Sequence, residues 1–127
     1  MNIPTNLLYT KDHEWAKIEG DVATVGITDY AQGELGDIVF IELPQAGSKV
    51  TKGASFGTIE AVKAVSDIYA PFSGEVTDAN AAVQDAPETV NKDPYGAGWM
   101  IKIRLADPSQ TSELMTAEQY KALIGEA

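Results

Sequence analysis

The stretch from Gly57 to Val76 limits what this chain can become more than any other. Apolar residues rich in Ile and Val lead into Lys63 from one side and leave it on the other, and Pro71 and Ser73-Gly74 mark the next turn. Two short strands that meet near Lys63 fit this pattern, with the lysine at the outer end of the hairpin. The turn itself is unusual. Val62-Lys63-Ala64 offers none of the Asn, Asp or Gly that supply positive φ in a tight hairpin loop, so ordinary turn chemistry does not choose this lysine. A flexible amine held out on a stiff hairpin, between small and β-branched neighbours, suits an enzyme that must acylate it and a cofactor that must then swing. A plain surface lysine, with its stem over the apolar rim and its ammonium in water, has the same local pattern.

Composition removes several classes of function. With 127 residues, 44% of them hydrophobic, the chain has the length and the apolar content for one globular domain, residues 1–127. No apolar run approaches membrane-spanning length. The first residues, Met1 to Asn6, have neither a basic region nor an Arg-rich amphipathic pattern, so no targeting segment is visible and a bacterial-like cytoplasmic location is expected. The absence of cysteine excludes disulfides, thiol nucleophiles and thiolate metal sites. A net charge of −10 with nine scattered Lys and Arg disfavours nucleic acid, which needs clustered cations. Acidity of this size serves solubility, or speeds encounters with basic patches on partners. Both readings stand at this level.

Along the chain, strands are expected over His13–Ile18 and Val22–Ile27 with Glu19-Gly20-Asp21 turning between them. Asp29 with Gln32 signals a capping box, predicting a short helix that ends near Gly36. Asp37–Leu43 is the most β-rich run, and one short strand is expected around Val50. Phe56–Val62 and Val65–Ala70 are the two arms of the hairpin, and Gly74–Ala79 is another strand. Pro87, Pro94, Gly96 and Gly98 predict a long surface loop over Asn80–Ala97, with one helical turn near Ala81-Ala82-Val83. Trp99–Leu105 alternates, with Trp99, Ile101, Ile103 and Leu105 inward against Met100, Lys102 and Arg104. Asp107-Pro108 and Thr116 open two short C-terminal helices in an extension over about 107–127, the second with Ala117, Tyr120 and Ile124 on one face. Gly53-Ala54-Ser55-Phe56 echoes Gly96-Ala97-Gly98-Trp99, which fits two similar halves or a chance match of four residues. Many short strands with Gly/Pro turns and minor helices predict a mainly β sandwich or flattened barrel with short peripheral helices.

Little in the chain points to catalysis. His13 is the only histidine and reads as a packed strand residue, with no serine–acid partner arrangement around it. One histidine without cysteine leaves no convincing metal set. The glycines match neither a P-loop nor a dinucleotide fingerprint.

Glu60-Ala61-Val62-Lys63-Ala64, followed by Ser66 to Pro71 and Ser73-Gly74-Glu75-Val76, resembles the lipoylation hairpin of the H protein of the glycine cleavage system. The likeness continues through Tyr9, His13-Glu14-Trp15, Val25-Gly26-Ile27-Thr28-Asp29, Gly36-Asp37-Ile38-Val39, Leu43-Pro44, Pro94-Tyr95 and Gly98-Trp99-Met100-Ile101-Lys102-Ile103, so it spans nearly the whole chain. The resemblance implies the barrel-sandwich hybrid of lipoyl and biotinyl domains, the C-terminal helices being the H-protein addition. It implies a non-catalytic carrier with lipoate amide-linked to Lys63. The acid three residues before that lysine, Glu60, and the glycine eleven after it, Gly74, stand at the positions read by the lipoate-attaching enzymes. The partners implied are a pyridoxal-phosphate glycine decarboxylase (P protein), a tetrahydrofolate-dependent aminomethyltransferase (T protein) and a dihydrolipoyl dehydrogenase (L protein), served by a monomeric carrier. The family shelters its aminomethyl cargo with carboxylates that map onto Glu14 and Asp67. Asp12 stands where the family often has serine; it adds a carboxylate for the amine or is a solvated charge.

Three alternatives stay open at this level. A biotinyl carrier has methionines where Val62 and Ala64 stand, and lacks the flanking His13-Glu14-Trp15 and Gly98-Trp99-Met100 segments. A lipoyl relay that passes lipoate to other acceptors has nearly the same sequence. An unmodified binding module uses the same hairpin without any adduct.

Overall fold

The computed structural model describes residues 2–125. Leu8–Tyr9 (β1), Glu14–Glu19 (β2), Val22–Ile27 (β3), Asp29–Leu35 (α1), Ile38–Glu42 (β4), Lys49–Val50 (β5), Ser55–Ala61 (β6), Val65–Tyr69 (β7), Gly74–Ala79 (β8), Ala81–Asp85 (α2), Glu88–Lys92 (α3), Ile101–Leu105 (β9), a 3₁₀ segment Pro108–Glu113 and Ala117–Leu123 (α4) follow in chain order. The strands form two antiparallel sheets, one of order β1-β2-β3-β9-β8-β5 and one of order β4-β6-β7. Inward residues of both, among them Val25, Ile41, Ile59, Ile68, Val76, Ile101 and Ile103, fill the space between them together with Phe72. Each such side chain contributes about 1.5–3 kcal/mol on burial.

A second, smaller cluster joins Ile3, Leu7, Tyr9 and Trp15 to Ala117 and Tyr120. It explains why α4 forms at all. A helix of this length is marginal alone. Its capping box, Thr116 with Gln119, and the burial of Tyr120 against the Tyr9 ring (centroids 4.8 Å apart) hold it in place. Residues 126 and 127 of the C-terminal extension lie outside the described residues.

The hairpin is held without any left-handed residue at its tip. Glu60 pairs with Val65, and Ala61 N–H donates to the Ala64 carbonyl at 2.7 Å. Val62 N–H donates sideways to the Asp37 carbonyl at 3.0 Å, just before β4. The turn is thus fixed from a neighbouring strand, and so it dispenses with Asn or Gly.

Several local expectations are corrected. Asn80–Ala97 is not a long surface loop: it forms α2 and α3, and Val83 and Val90 are fully buried. Asn80 caps α2 and also donates to the Ala97 and Trp99 carbonyls, while Asn91 bridges Gln32, Gly36 and Ile38. These cross-links replace the solvent a loop would need. Met100 is fully buried rather than outward, because the ladder of β9 begins only at Ile101 and Met100 turns into the core as its N–H meets the Val25 carbonyl. His13 lies outside β2, in a left-handed turn at φ 70°. The cap of α1 is Thr28, whose hydroxyl accepts from Ala31 N–H; Asp29 is the first helical residue and its carboxylate holds Gln32. The four-residue echo has no structural counterpart, since Gly53 is left-handed at φ 84° and Gly96 is not.

Candidate functional site

Lys63 stands exposed at the tip of the β6–β7 hairpin. Its stem lies over Gly36, the C-cap of α1: a Cβ built there would meet Lys63 Cε at 3.0 Å and Nζ at 3.5 Å. Gly36 has φ 77° and ψ −152°, a backbone conformation essentially reserved for glycine, and its lack of a side chain leaves the lysine a groove toward the helix. The carbonyl end of α1 suits an ammonium there.

Along the free edge of β7, between the hairpin and α1, runs a cleft of about 270 Å³. Asp12, Glu14 and Asp67 line it together, with His13, Tyr30, Glu34 and Ser66, and Ile27, Ala31, Leu35, Ile59 and Ile68 form its apolar wall. Strand rise of about 3.3 Å per residue puts Ser66–Ile68 within roughly 17 Å of Lys63 along the chain. The three carboxylates differ in setting. Asp12 and Asp67 are exposed at the rim, and Asp67 accepts a hydrogen bond from the Ser55 hydroxyl.

Glu14 is only 2% exposed. Thr10 Oγ1 donates to its Oε1 at 2.7 Å, and Tyr69 N–H, at the edge of β7, donates to Oε2 at 3.4 Å. Burial is the dominant influence and pushes the Glu14 carboxyl up to about 8; the two hydrogen bonds oppose it and the Asp12 charge adds to it. Burial likewise pulls the His13 imidazole below its ordinary value, against the nearby Asp12 and Glu34 charges.

A chain of hydroxyls reaches this cleft from the C-terminal helix. Tyr120 OH lies 2.8 Å from His13 Nδ1 and 2.8 Å from Thr28 Oγ1, and burial pushes its phenol up to about 12. Tyr120 thereby ties α4 to the turn before Glu14 and to the cap of α1. Sequence patterning placed Tyr120 on a buried face but gave no hint of this reach. Thr10 was missed altogether; its one sequence signal is the i, i+4 offset to Glu14 across a turn. Asn91, which fixes the end of α1 beneath Lys63, lay in the presumed loop.

A second cleft of about 590 Å³ shares Asp12 and Glu14 with the first and adds Tyr9, Thr10, Lys11, Tyr69, Ala70, Pro71, Leu114 and Met115, with the Lys52–Glu113 ion pair (2.7 Å) across it. Glu14 forms part of the wall between the two.

The remaining expected site residues lie apart from the cleft. Glu60 projects from the outer face of the three-stranded sheet. Gly74 opens β8 in the other sheet, opposite Leu105 and Val50. A Cβ there would collide with the Arg104 carbonyl and crowd Ile103 Cγ2, so close strand packing requires glycine at this position whatever else reads it. Among the described residues no group of His, Cys, Asp and Glu is arranged to hold a metal, and no helix is long and apolar enough to cross a membrane.

Comparison with known proteins adds four observations. The family model described as Glycine cleavage H-protein matches residues 7–127. The chain is 54% identical over 126 residues to the Glycine cleavage system H protein of Staphylococcus saprophyticus, covering 99% of this chain and 100% of that one. It is 57% identical over 124 residues to that of Rubrobacter xylanophilus, covering 98% and 96%. The crystal structure of a glycine cleavage system H protein from Mycobacterium marinum superposes with a TM-score of 0.90 at 43% identity, covering 97% of this chain and 99% of that one, which makes the two-sheet fold the barrel-sandwich of lipoyl domains.

Proposed function

The chain belongs to the glycine cleavage H-protein family, and on that premise we propose that it is the non-catalytic lipoyl carrier of the glycine cleavage system, with Lys63 as attachment point. One observation carries the reading: an exposed amine at a rigid hairpin tip lies within reach of a cleft floored by a buried carboxyl. In this reading residues 1–127 act as one carrier unit in the cytoplasm. The carrier takes an aminomethyl group from glycine decarboxylase, presents it to the aminomethyltransferase and is reoxidised by dihydrolipoyl dehydrogenase. Lipoate-attaching enzymes that read Glu60 and Gly74 load it beforehand.

Lipoate, amide-linked to Lys63, supplies a dithiolane that can hold a one-carbon amine. The groove at Gly36 and the mixed cleft, apolar along one wall and acidic at floor and rim, suit such an arm. What the chain's own residues do follows from their environment. With no cation beside it, Glu14 is held mainly protonated at pH 7, because ionising it there lacks solvation. An ammonium entering the cleft reverses this, since an opposite charge within about 4–6 Å favours the carboxylate. Glu14 then releases its proton to solvent and pairs with the ammonium, while Thr10 stays on Oε1. An amine kept protonated has no free lone pair with which to break away from its carbon. Ile27, Leu35, Ile59 and Ile68 limit water at the same place. His13, its imidazole lowered by burial, stays neutral at pH 7 and sets no competing cation beside the cargo. Asp12 and Asp67 add negative potential at the entrance.

The test is carboxyl exchange between glycine and labelled bicarbonate, with purified glycine decarboxylase and the lipoylated chain. Exchange that is lost in Lys63→Arg, which keeps the charge but removes the acylation site, supports the assignment. No exchange with the fully lipoylated chain removes the glycine-cleavage role and leaves lipoate relay as the remaining carrier function.

A further inference from the structure

Among the described residues, four of the five exposed large hydrophobic side chains, Val39, Phe40, Val62 and Val65, gather at the Lys63 end of the three-stranded sheet. The ladder register explains how. Phe40 pairs with Glu60 and Glu60 with Val65, so these three side chains form a row across the outer face; Glu42, Thr58 and Asp67 form the next. Val39 sits in the bulge between Ile38 and Phe40, beside the first row. Phe40 is 47% exposed and Val65 66% exposed, although the inward residues of the same strands, Ile41, Ile59 and Ile68, are about 1% exposed.

The β4 edge of this sheet is covered, and the β7 edge opens on the cleft. Asn91 and Gln84 accept the Ile38 and Leu43 N–H groups beside β4, and Glu14 accepts from Tyr69 on β7. With one edge covered and the other given to the cleft, the outer face is the broad surface the sheet offers a partner. That face carries Glu42, Glu60 and Asp67, and the one ion pair among the described residues, Lys52–Glu113, lies elsewhere. Charge then selects the occupant. A second copy of this chain would set these carboxylates against their own kind, and an anionic membrane or nucleic acid would be repelled in the same way. A protein surface presenting arginine among apolar side chains meets both the carboxylates and the exposed apolar fringe.

We propose that this face, centred on the Phe40–Glu60–Val65 row, is the docking surface for an enzyme whose active-site entrance carries arginine within an apolar rim. It grips the carrier beside Lys63 and meets the cleft between hairpin and α1 at its Asp67 rim. This deepens the carrier reading and rests on Lys63 being the loaded lysine.

The experiment uses the full chain, lipoylated to completion and checked by intact mass, as the varied substrate of purified glycine decarboxylase at several salt concentrations. Phe40→Ala is expected to raise KM fivefold or more at unchanged kcat, as truncating a central aromatic contact does. Glu60→Gln is expected to raise KM several-fold and to flatten its salt dependence. Leu123→Ala, the other exposed large hydrophobic, should match wild type, and near-UV circular dichroism confirms that each variant is folded. Unchanged KM in both face variants, beside an active wild type, overturns the docking surface alone. A change confined to kcat overturns it as well. A lipoylated wild type that supports no exchange overturns the carrier reading and this proposal with it.

Discussion

Replacing Glu14 with glutamine should remove most of a stability loss that the native protein suffers as pH rises. In the fold the carboxyl titrates at about 8, against an ordinary 4.5 in the unfolded chain. Between those values the folded state holds one proton more than the unfolded state, so unfolding free energy falls with rising pH. The penalty is absent below about pH 4.5 and fully present above about pH 8. At about 1.36 kcal/mol per pKa unit, it amounts to roughly 2–3 kcal/mol between pH 5 and pH 7 and to about 5 kcal/mol when complete. For a chain of this size that first interval corresponds to about 10 °C in Tm. Glutamine has nearly the same shape, stays neutral and still accepts from Thr10. Two other influences act on both proteins alike: repulsion within a chain of net charge −10, and His13, whose lowered pKa adds stability as pH climbs toward 6.5. The difference between wild type and Glu14→Gln, from urea unfolding at pH 5, 6, 7 and 8, isolates the carboxyl. Glu14→Gln should gain on wild type steadily across that range. Parallel curves would refute the argument that burial governs this group.

Removing the Thr10 hydroxyl in Thr10→Val deletes a hydrogen bond that favours the charged form, so the Glu14 pKa should rise above its wild-type value and return in Thr10→Ser; ¹³C NMR of the carboxyl reads this directly. Gly74→Ala should lose about 1–3 kcal/mol or more of stability in urea unfolding, because the new methyl meets the Arg104 carbonyl, and an unchanged midpoint would contradict the close strand approach. Tyr120→Phe removes the hydroxyl that joins His13 to Thr28, and is expected to cost about 1–2 kcal/mol of stability and to raise amide exchange in the turn before Glu14.

How much of this was legible in the sequence depends on the range of the interaction concerned. β3 and β8 have the ends that their flanking turn residues predicted, and α4 starts at the Thr116 capping box, because these signals are local. The hairpin was legible for the same reason, although its turn is held by a bond to Asp37 that no local pattern contains. Asn80–Ala97 was misread because Pro and Gly mark breaks without telling whether the pieces between them find a core. Val83 and Val90, one residue in each piece, decided that. Met100 failed because strict alternation was carried past the first ladder pair. In the site, the nearness of Asp12, Glu14 and Asp67 was anticipated only by family resemblance: a glutamate opening a strand reads as solvated, and its burial comes from β7 and Thr10. The His13–Tyr120 contact joins residues 107 apart in sequence, beyond the reach of any periodicity argument.

The most direct test of the central claim is intact mass of the chain purified from its native source, followed by fragmentation to locate any adduct. One lipoyl amide on Lys63, lost in Lys63→Arg, is the predicted result. A chain without an adduct in cells that lipoylate their other acceptors, or an adduct seated on a different lysine, would contradict it.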